Sequence, residues 1–328
     1  MIAHTDPLVL TPTSYADLVR SPFADETAGD PHHVVVVVEG PPDSEIASPG
    51  ALPLIVVWVG AEFAGAGPGA ADLVVGADDV DETVAGIARA PLAARTLAVL
   101  LRSIATVDVE AGLAMESAAY SMLQAGPEFA AWRAAHPASP LADTRPTVHS
   151  ERGDDTLVVT LDRPDRHNAI SLRMRDELAQ ALSIAVVDES ITGVVLRGNG
   201  PSFCSGGDLD EFGTRPDPAT AHVTRLARSP ARLIHELAAR TTVQLHGAAF
   251  GGGIEMAAFA GSIQAHPATR IALPEVGLGL IPGAGGTVSV TRRIGRQRTA
   301  ALALCGREID ATAALAWGLV DRITTPGV

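Results

Sequence analysis

Lysine is absent from this 328-residue sequence, so all 24 basic residues are arginine, and they are scattered among 38 acidic residues for a formal charge of −14. With no basic run or face, nucleic acid is excluded as an expected partner. Cysteine is almost absent too. Cys204 and Cys305 lie roughly a hundred residues apart, which excludes a disulfide framework and a cysteine-rich metal site and fits free thiols in a reducing compartment. Long hydrophobic runs are missing: Val34–Val38 and Leu54–Val59 are strand-sized, far below the ~20 residues that cross a bilayer. The first residues, Met1 to Asp6, have neither a basic start nor an apolar signal core. The expectation is a cytoplasmic protein with no membrane partner. Aromatic residues make up only 4%, yet the hydrophobic fraction is 47%, ample for a core, and the charge is dilute enough to argue against disorder.

Three apolar runs open the chain, His33–Glu39, Leu52–Gly60 and Ala71–Gly76, each bounded by Gly, Pro or Asp in the manner of short buried strands. Apolar residues then recur at three- and four-residue spacing through Leu92–Arg102 and Ala111–Ala125, which predicts helices. Pro137–Pro146, with three prolines among small and polar residues, reads as a boundary. The predicted division is a first unit over 1–140, a linker over 141–150 and a second unit over 151–328. In the second unit a strand is expected at Thr156–Leu161, a helix capped by Ser171 over Leu172–Ala185, a strand at Val194–Arg197, one helix across Thr220–Ala239 and a strand at Thr242–Leu245. Alternation of strand and helix makes the fold class α/β. Gly65–Ala70 matches a G-x-G-x-x-A dinucleotide pattern, but the next strand begins near Leu73 and leaves no room for the helix that would hold a pyrophosphate.

Two glycine-rich loops carry the most information. Gly251-Gly252-Gly253 stands between a strand and an apolar helix containing Glu255, and Ser205-Gly206-Gly207-Asp208 follows another strand. Glycine leaves backbone N–H groups uncovered, and such amides at a helix start attract negative charge. Taken singly, the triplet is better read as close helix–sheet packing, and Ser205–Asp208 as an ordinary tight turn with Asp208 capping the next helix. Glu255 by itself fits a helix-start acid, and Glu275, in Leu273-Pro274-Glu275, a loop acid.

Together with Arg166-His167-Asn168-Ala169-Ile170-Ser171 and Leu273 through Thr287, these segments resemble the crotonase (enoyl-CoA hydratase/isomerase) superfamily in order and spacing, over about Thr156 to Ile323. The resemblance implies a crotonase-like ββα spiral and an oxyanion hole in which the N–H groups of Gly207 and Gly252 hold an acyl-CoA thioester oxygen. Glu255 and Glu275 match the glutamate pair with which hydratases of this family handle water and deliver a proton to the α-carbon; isomerases commonly keep only the second. Arg166, His167, Asn168, Ala169, Ser205 and Asp208 match the coenzyme A side of the site, and Arg163 or Arg166 is placed to meet phosphate. The implied activity is enoyl-CoA hydratase, with isomerase or another enolate-dependent lyase as the rival enzyme and a non-catalytic acyl-CoA-binding scaffold as the rival class. No metal or redox cofactor is implied beyond the coenzyme A of the substrate, and the expected assembly is a homo-oligomer, a trimer or a dimer of trimers.

The sequence departs from that pattern in two places. The family's helical tail beyond the equivalent of Trp317–Asp321 is not found after it, whereas Pro91 to Arg133 looks like such a tail placed ahead of the catalytic part. The expectation is a reduced crotonase-like first unit, lacking both oxyanion loops, whose helices over Ala90–Trp132 cover the second, within one chain or by exchange between chains.

Overall fold

The computed structural model describes residues 7–30, 33–41, 46–60, 68–139, 144–214 and 217–324. The chain begins β1 (Leu8–Leu10), α1 (Pro12–Arg20), α2 (Ala24–Gly29), β2 (Val35–Glu39), β3 (Ile55–Val59) and β4 (Leu73–Val75). These strands form a parallel sheet in that order. Successive side chains of a strand point to opposite faces, and here both faces are covered. Val35, Val37, Ile55 and Val57 enter the main core, while Val36, Val38, Val56 and Trp58 join Tyr15 and Ala28 in a smaller one. A run of consecutive valines therefore suits a strand with no solvent face. Four helices follow: α3 (Val80–Ala88), α4 (Pro91–Ile104), α5 (Val109–Gln124) and α6 (Pro127–Ala135).

The second part runs β5 (Val148–Gly153), β6 (Thr156–Leu161), α7 (Leu172–Val187), β7 (Gly193–Gly198), α8 (Pro218–Ala227), α9 (Pro230–Glu236), β8 (Thr241–Leu245), β9 (Ala248–Phe250) and α10 (Gly252–Ala257). It continues through β10 (Ser262–Ala265), β11 (Arg270–Ala272), α11 (Gly286–Ile294), α12 (Arg296–Leu304), β12 (Ile309–Asp310), α13 (Ala311–Trp317) and β13 (Arg322–Ile323). A six-stranded sheet has the order β13-β10-β8-β7-β6-β5, parallel except for β5, and a three-stranded sheet has the order β12-β11-β9. No single helix among the described residues is long and apolar enough to cross a membrane.

Several expectations need correction. The helix expected across Thr220–Ala239 is two helices and a short 3-10 turn. Pro230 has no N–H to continue α8, and the Ser229 side chain instead accepts from Arg232 N to start α9 afresh. β5 begins inside the expected linker, of which residues 141–143 lie outside the described residues, as do Gly65 to Gly67 of the dinucleotide-like pattern. The segment β1-α1-α2 was not anticipated: its apolar positions are few and its helices short.

One apolar core runs from Val34 to Val320 through both parts of the chain. α4 and α5 pack on α11, α4 on α12, α5 on α8, and α6 on the turn Glu275–Leu278. Asp72, in the loop before β4, fastens this junction. Its buried carboxylate accepts from Val56 N at 2.9 Å and from Arg102 Nε of α4 at 2.8 Å, and Arg296 of α12 lies 3.4 Å away. Removing one member of a buried ion pair strands the others without a counter-charge, at a cost of about 3–5 kcal/mol. Asp72→Ala is expected to lower the unfolding free energy by about that amount in urea denaturation, and a loss below about 1 kcal/mol would show that the cluster does not hold the two parts together.

Candidate active site

The two glycine loops meet. Ile170 forms a parallel bridge with Gly207, using Gly206 O (2.8 Å) and Asp208 N (3.0 Å), so the N–H of Gly207 between them faces the other way. On that other side lies the glycine triplet. A Cβ placed on Gly252 would sit 3.9 Å from Gly207 N, and one on Gly206 would sit 3.7 Å from Gly252 N. Gly252 opens α10, where N–H groups have no intrahelical acceptor. Gly207 and Gly252 both line one cavity of about 700 Å³.

The loop bearing Gly207 is braced from behind. Arg163 and Asp208 form a buried ion pair at 2.6 Å, and Arg163 Nη1 also donates to Ala169 O at 3.0 Å. Asn168, fully buried with φ of 54°, accepts from Arg163 N and donates to the carbonyls of Asn199 and Ser202. Arg163 is therefore not available for phosphate, which corrects that expectation: its guanidinium is committed to Asp208. Arg166 stays half-buried beside Asp210 at 3.1 Å, and His167 Nδ1 lies 3.0 Å from Ser202 Oγ.

Glu255 and Glu275 both line the cavity. Glu255 lies in the first turn of α10, two residues after the triplet, and its Oε2 accepts from Ala284 N at 2.7 Å and Gly286 N at 2.9 Å. Glu275 reaches the same wall because Gly251 has no side chain: a Cβ there, at φ of 47°, would lie 2.2 Å from Glu275 Oε1. Glu275 Oε2 is buried with no hydrogen-bond partner among the described residues. A buried polar oxygen left unpaired costs free energy, so this atom is suited to a ligand or a proton.

A third acid stands beside them. Glu116 of α5 is buried on the cavity wall, its Oε1 accepting from Gly285 N at 2.7 Å and its Oε2 from Thr287 N at 2.9 Å and Thr287 Oγ1 at 2.6 Å. Burial raises all three carboxyl groups. Glu116 is pushed up to about 7 and Glu275 to about 8, the Glu116 charge adding to the effect of burial on Glu275. Glu255 is raised well above the carboxylate range by burial first, then by its two acidic neighbours. Like charges so close in a dry site cannot all ionise at neutral pH, which gives the cluster protons to trade. Burial also pushes the Cys204 thiol, beneath the triplet, up to about 12, so it is no nucleophile at neutral pH.

Of the residues expected from sequence, the structure brings Gly207, Asp208, Gly252, Glu255 and Glu275 to the cavity. Arg166, His167, Asn168, Ala169 and Ser205 lie on the adjoining loops and do not line it. Sequence reading missed Glu116, although a signal exists: it occupies the apolar stripe of α5, between Leu113 and Tyr120 at helical spacing, where an unpaired acid is costly. It also missed the far wall, where Val223 and Leu226 of α8 and Leu113 and Tyr120 of α5 line the cavity.

Comparison with known proteins identifies the family of the second part of the chain. The enoyl-CoA hydratase/isomerase family model matches residues 151–326. An enoyl-CoA isomerase/hydratase of Mycosarcoma maydis is 37% identical over 178 residues, covering 52% of this chain and 65% of that protein. A 2,3-dehydroadipyl-CoA hydratase of Escherichia coli is 34% identical over 175 residues, covering 52% of this chain and 67% of its own. Among solved structures, an enoyl-CoA hydratase from Thermoplasma volcanium superposes with a TM-score of 0.51 at 34% identity, over 56% of this chain and 74% of that one. The chain spans 64% to 68% of the length of the first three curated relatives it matches, and residues 1–150 fall outside the family match. With a crotonase fold and the family's loops in its order, the chain belongs to the enoyl-CoA hydratase/isomerase family.

Proposed function

We propose that the protein is an enoyl-CoA hydratase, and the observation that carries this reading is the pairing of two loop amides, at Gly207 and Gly252, with two buried glutamates on one cavity wall. Adding water to an α,β-unsaturated thioester passes through an enolate whose charge collects on the carbonyl oxygen. Two fixed N–H donors meet that charge without reorganising, and one such donor is worth on the order of 10²–10³ in rate. The water oxygen bonds to Cβ and gives up a proton to Glu255 in its carboxylate form, which the two amide donors at Ala284 and Gly286 favour against the burial and acidic neighbours that raise its proton affinity. The double-bond electrons move toward the thioester oxygen, then return to Cα as it takes the proton held by Glu275. A proton passed between the two glutamates resets the site. The elevated proton affinity of Glu275 supports its role as the donor near neutral pH.

One observation favours isomerisation as a second reading. Glu255 is tethered by two amides whereas Glu275 Oε2 has no partner among the described residues, and a shift of a double bond needs only one mobile carboxylate. Substitution separates the two. In an absorbance assay of crotonyl-CoA hydration, Glu275→Gln is expected to lower the rate about a hundredfold or more, within the usual reach of general acid–base catalysis, with the fold intact. Glu255→Gln is expected to lower hydration similarly. Conversion of a 3-enoyl-CoA that survives Glu255→Gln but not Glu275→Gln would favour the isomerase, and hydration untouched by Glu275→Gln would remove the hydratase assignment. A wild-type protein that binds acyl-CoA without turning over either substrate would leave a binding subunit.

Proton affinity also sets a pH signature for stability. Between the ordinary value of 4.5 and about 8, folded Glu275 holds a proton that the unfolded chain has released. Its contribution is therefore fully present below 4.5 and is lost as pH rises toward 8, with a slope of up to about 1.4 kcal/mol per pH unit. Glu275→Gln is expected to flatten the decline of unfolding free energy across that window when urea titrations are repeated at successive pH values. Parallel curves for variant and wild type would show that Glu275 does not hold its proton in the folded state.

A further inference from the structure

The main chain from Ala284 to Thr287 offers four successive N–H groups to two carboxylates in strict alternation. Ala284 and Gly286 donate to Glu255, and Gly285 and Thr287 to Glu116. The segment is gripped from both sides. A Cβ on Gly286 would lie 2.5 Å from Glu255 Cγ, and one on Gly283 would lie 2.4 Å from Tyr120 Cδ2 of α5, so the glycines let α10 and α5 close on one strip of backbone. Glu116 belongs to the part of the chain outside the family match and lies 169 residues before Gly285.

We propose that Glu116 is a positioning residue for Glu255: by holding the odd-numbered amides of this strip it fixes the even-numbered ones, and these fix the Glu255 carboxylate against the cavity. The first 150 residues thereby supply part of the machinery rather than a cover alone. The part of Glu116 is assigned to the loop, since the loop engages both its oxygens, Oε1 by Gly285 and Oε2 by Thr287. A glutamine at 116 presents one oxygen and one NH₂, so one of those two amides would face a donor instead of an acceptor. The part of the proposal that concerns rate rests on the reading of Glu255 as an acting carboxylate; the part that concerns the loop does not.

Two measurements test it. Amide hydrogen exchange, followed without any ligand, is expected to show Ala284 and Gly286 exchanging at least about tenfold faster in Glu116→Gln, although their own acceptor is unaltered. Unchanged exchange at those two amides overturns the proposal. In steady-state kinetics with crotonyl-CoA, Glu116→Gln is expected to lower kcat about tenfold to a hundredfold with KM within about threefold, the size expected for misplacing a reacting group. Added to Glu255→Gln it is expected to cost less than about twofold more, since a residue acting through Glu255 has nothing left to act on. Losses that multiply in the double variant, or a single variant with full kcat, overturn it. Should Glu116→Gln fail to fold, Thr287→Val removes only the hydroxyl donated to Glu116 and is expected to give the same exchange and kcat effects at smaller size, with no effect counting against the proposal. A wild type inactive on enoyl-CoA would defeat the proposed function while the exchange result still decides the role of Glu116 in the loop.

Discussion

The structure depends on holding carboxyl groups in a dry interior by means of backbone N–H groups. Burying an acid is costly unless donors replace its water, and here the donors for Glu255 and Glu116 come from a single short strip, Ala284 to Thr287. That strip can approach two helices at once only where side chains are missing. Gly286 in the strip answers this requirement, and Gly206 and Gly251 answer a similar one where the two glycine loops and Glu275 meet: at each, a Cβ would meet another loop, a glutamate or both. Backbone donors add a further property, since they neither titrate nor change rotamer, and the site keeps its geometry while its acids change protonation.

What the sequence made legible was what is local. A glycine triplet before an apolar helix, or a Gly-Gly-Asp turn after a strand, constrains backbone within a few residues, and those loops stand where strand–loop–helix reading places them. The elements of α/β alternation were legible for the same reason, and β6 spans the residues that β-branched alternation marks. The break between α8 and α9 was readable in principle from Ser229-Pro230 but was hidden by continuous helical spacing on either side. Glu116 was a different matter. Its meaning comes from Gly285 and Thr287, far along the chain, and nothing within α5 distinguishes it from a solvent-facing acid except its place in the apolar stripe. Arg163 misled for a similar reason: a guanidinium near a coenzyme-side loop suits phosphate by chemistry, and only the three-dimensional proximity of Asp208 reveals its use as a brace.

Exclusive use of arginine fits the way distant segments are joined. A guanidinium has five donors in a planar fork, where an ammonium is a single point of charge. Arg102 spans Asp72 and the carbonyls of Leu52 and Leu54, and Arg296 joins Asp72 to the carbonyls of Gly69 and Ala71. Arg293 does the same for Ala258 and Ala260 beneath α10. Each ties several backbone oxygens that have no place in a sheet or helix, and one lysine could not span them.

The two parts of the chain thus divide a single physical task. The amides of Gly207 and Gly252 and the acids Glu255 and Glu275 come from the part that matches the family, yet their behaviour is set by enclosure. Proton affinities of buried carboxyls rise because they are withdrawn from water, and the cavity beside them is lined by Leu113 and Tyr120 of α5 as well as by Val223 and Leu226 of α8. Opening that wall would return Glu275 toward an ordinary carboxylate, ionised at neutral pH and poor as a proton donor. The first 150 residues therefore bear on the site even though they contribute neither of the amides nor the glutamate pair, because Leu113, Glu116 and Tyr120 of α5 form part of its wall.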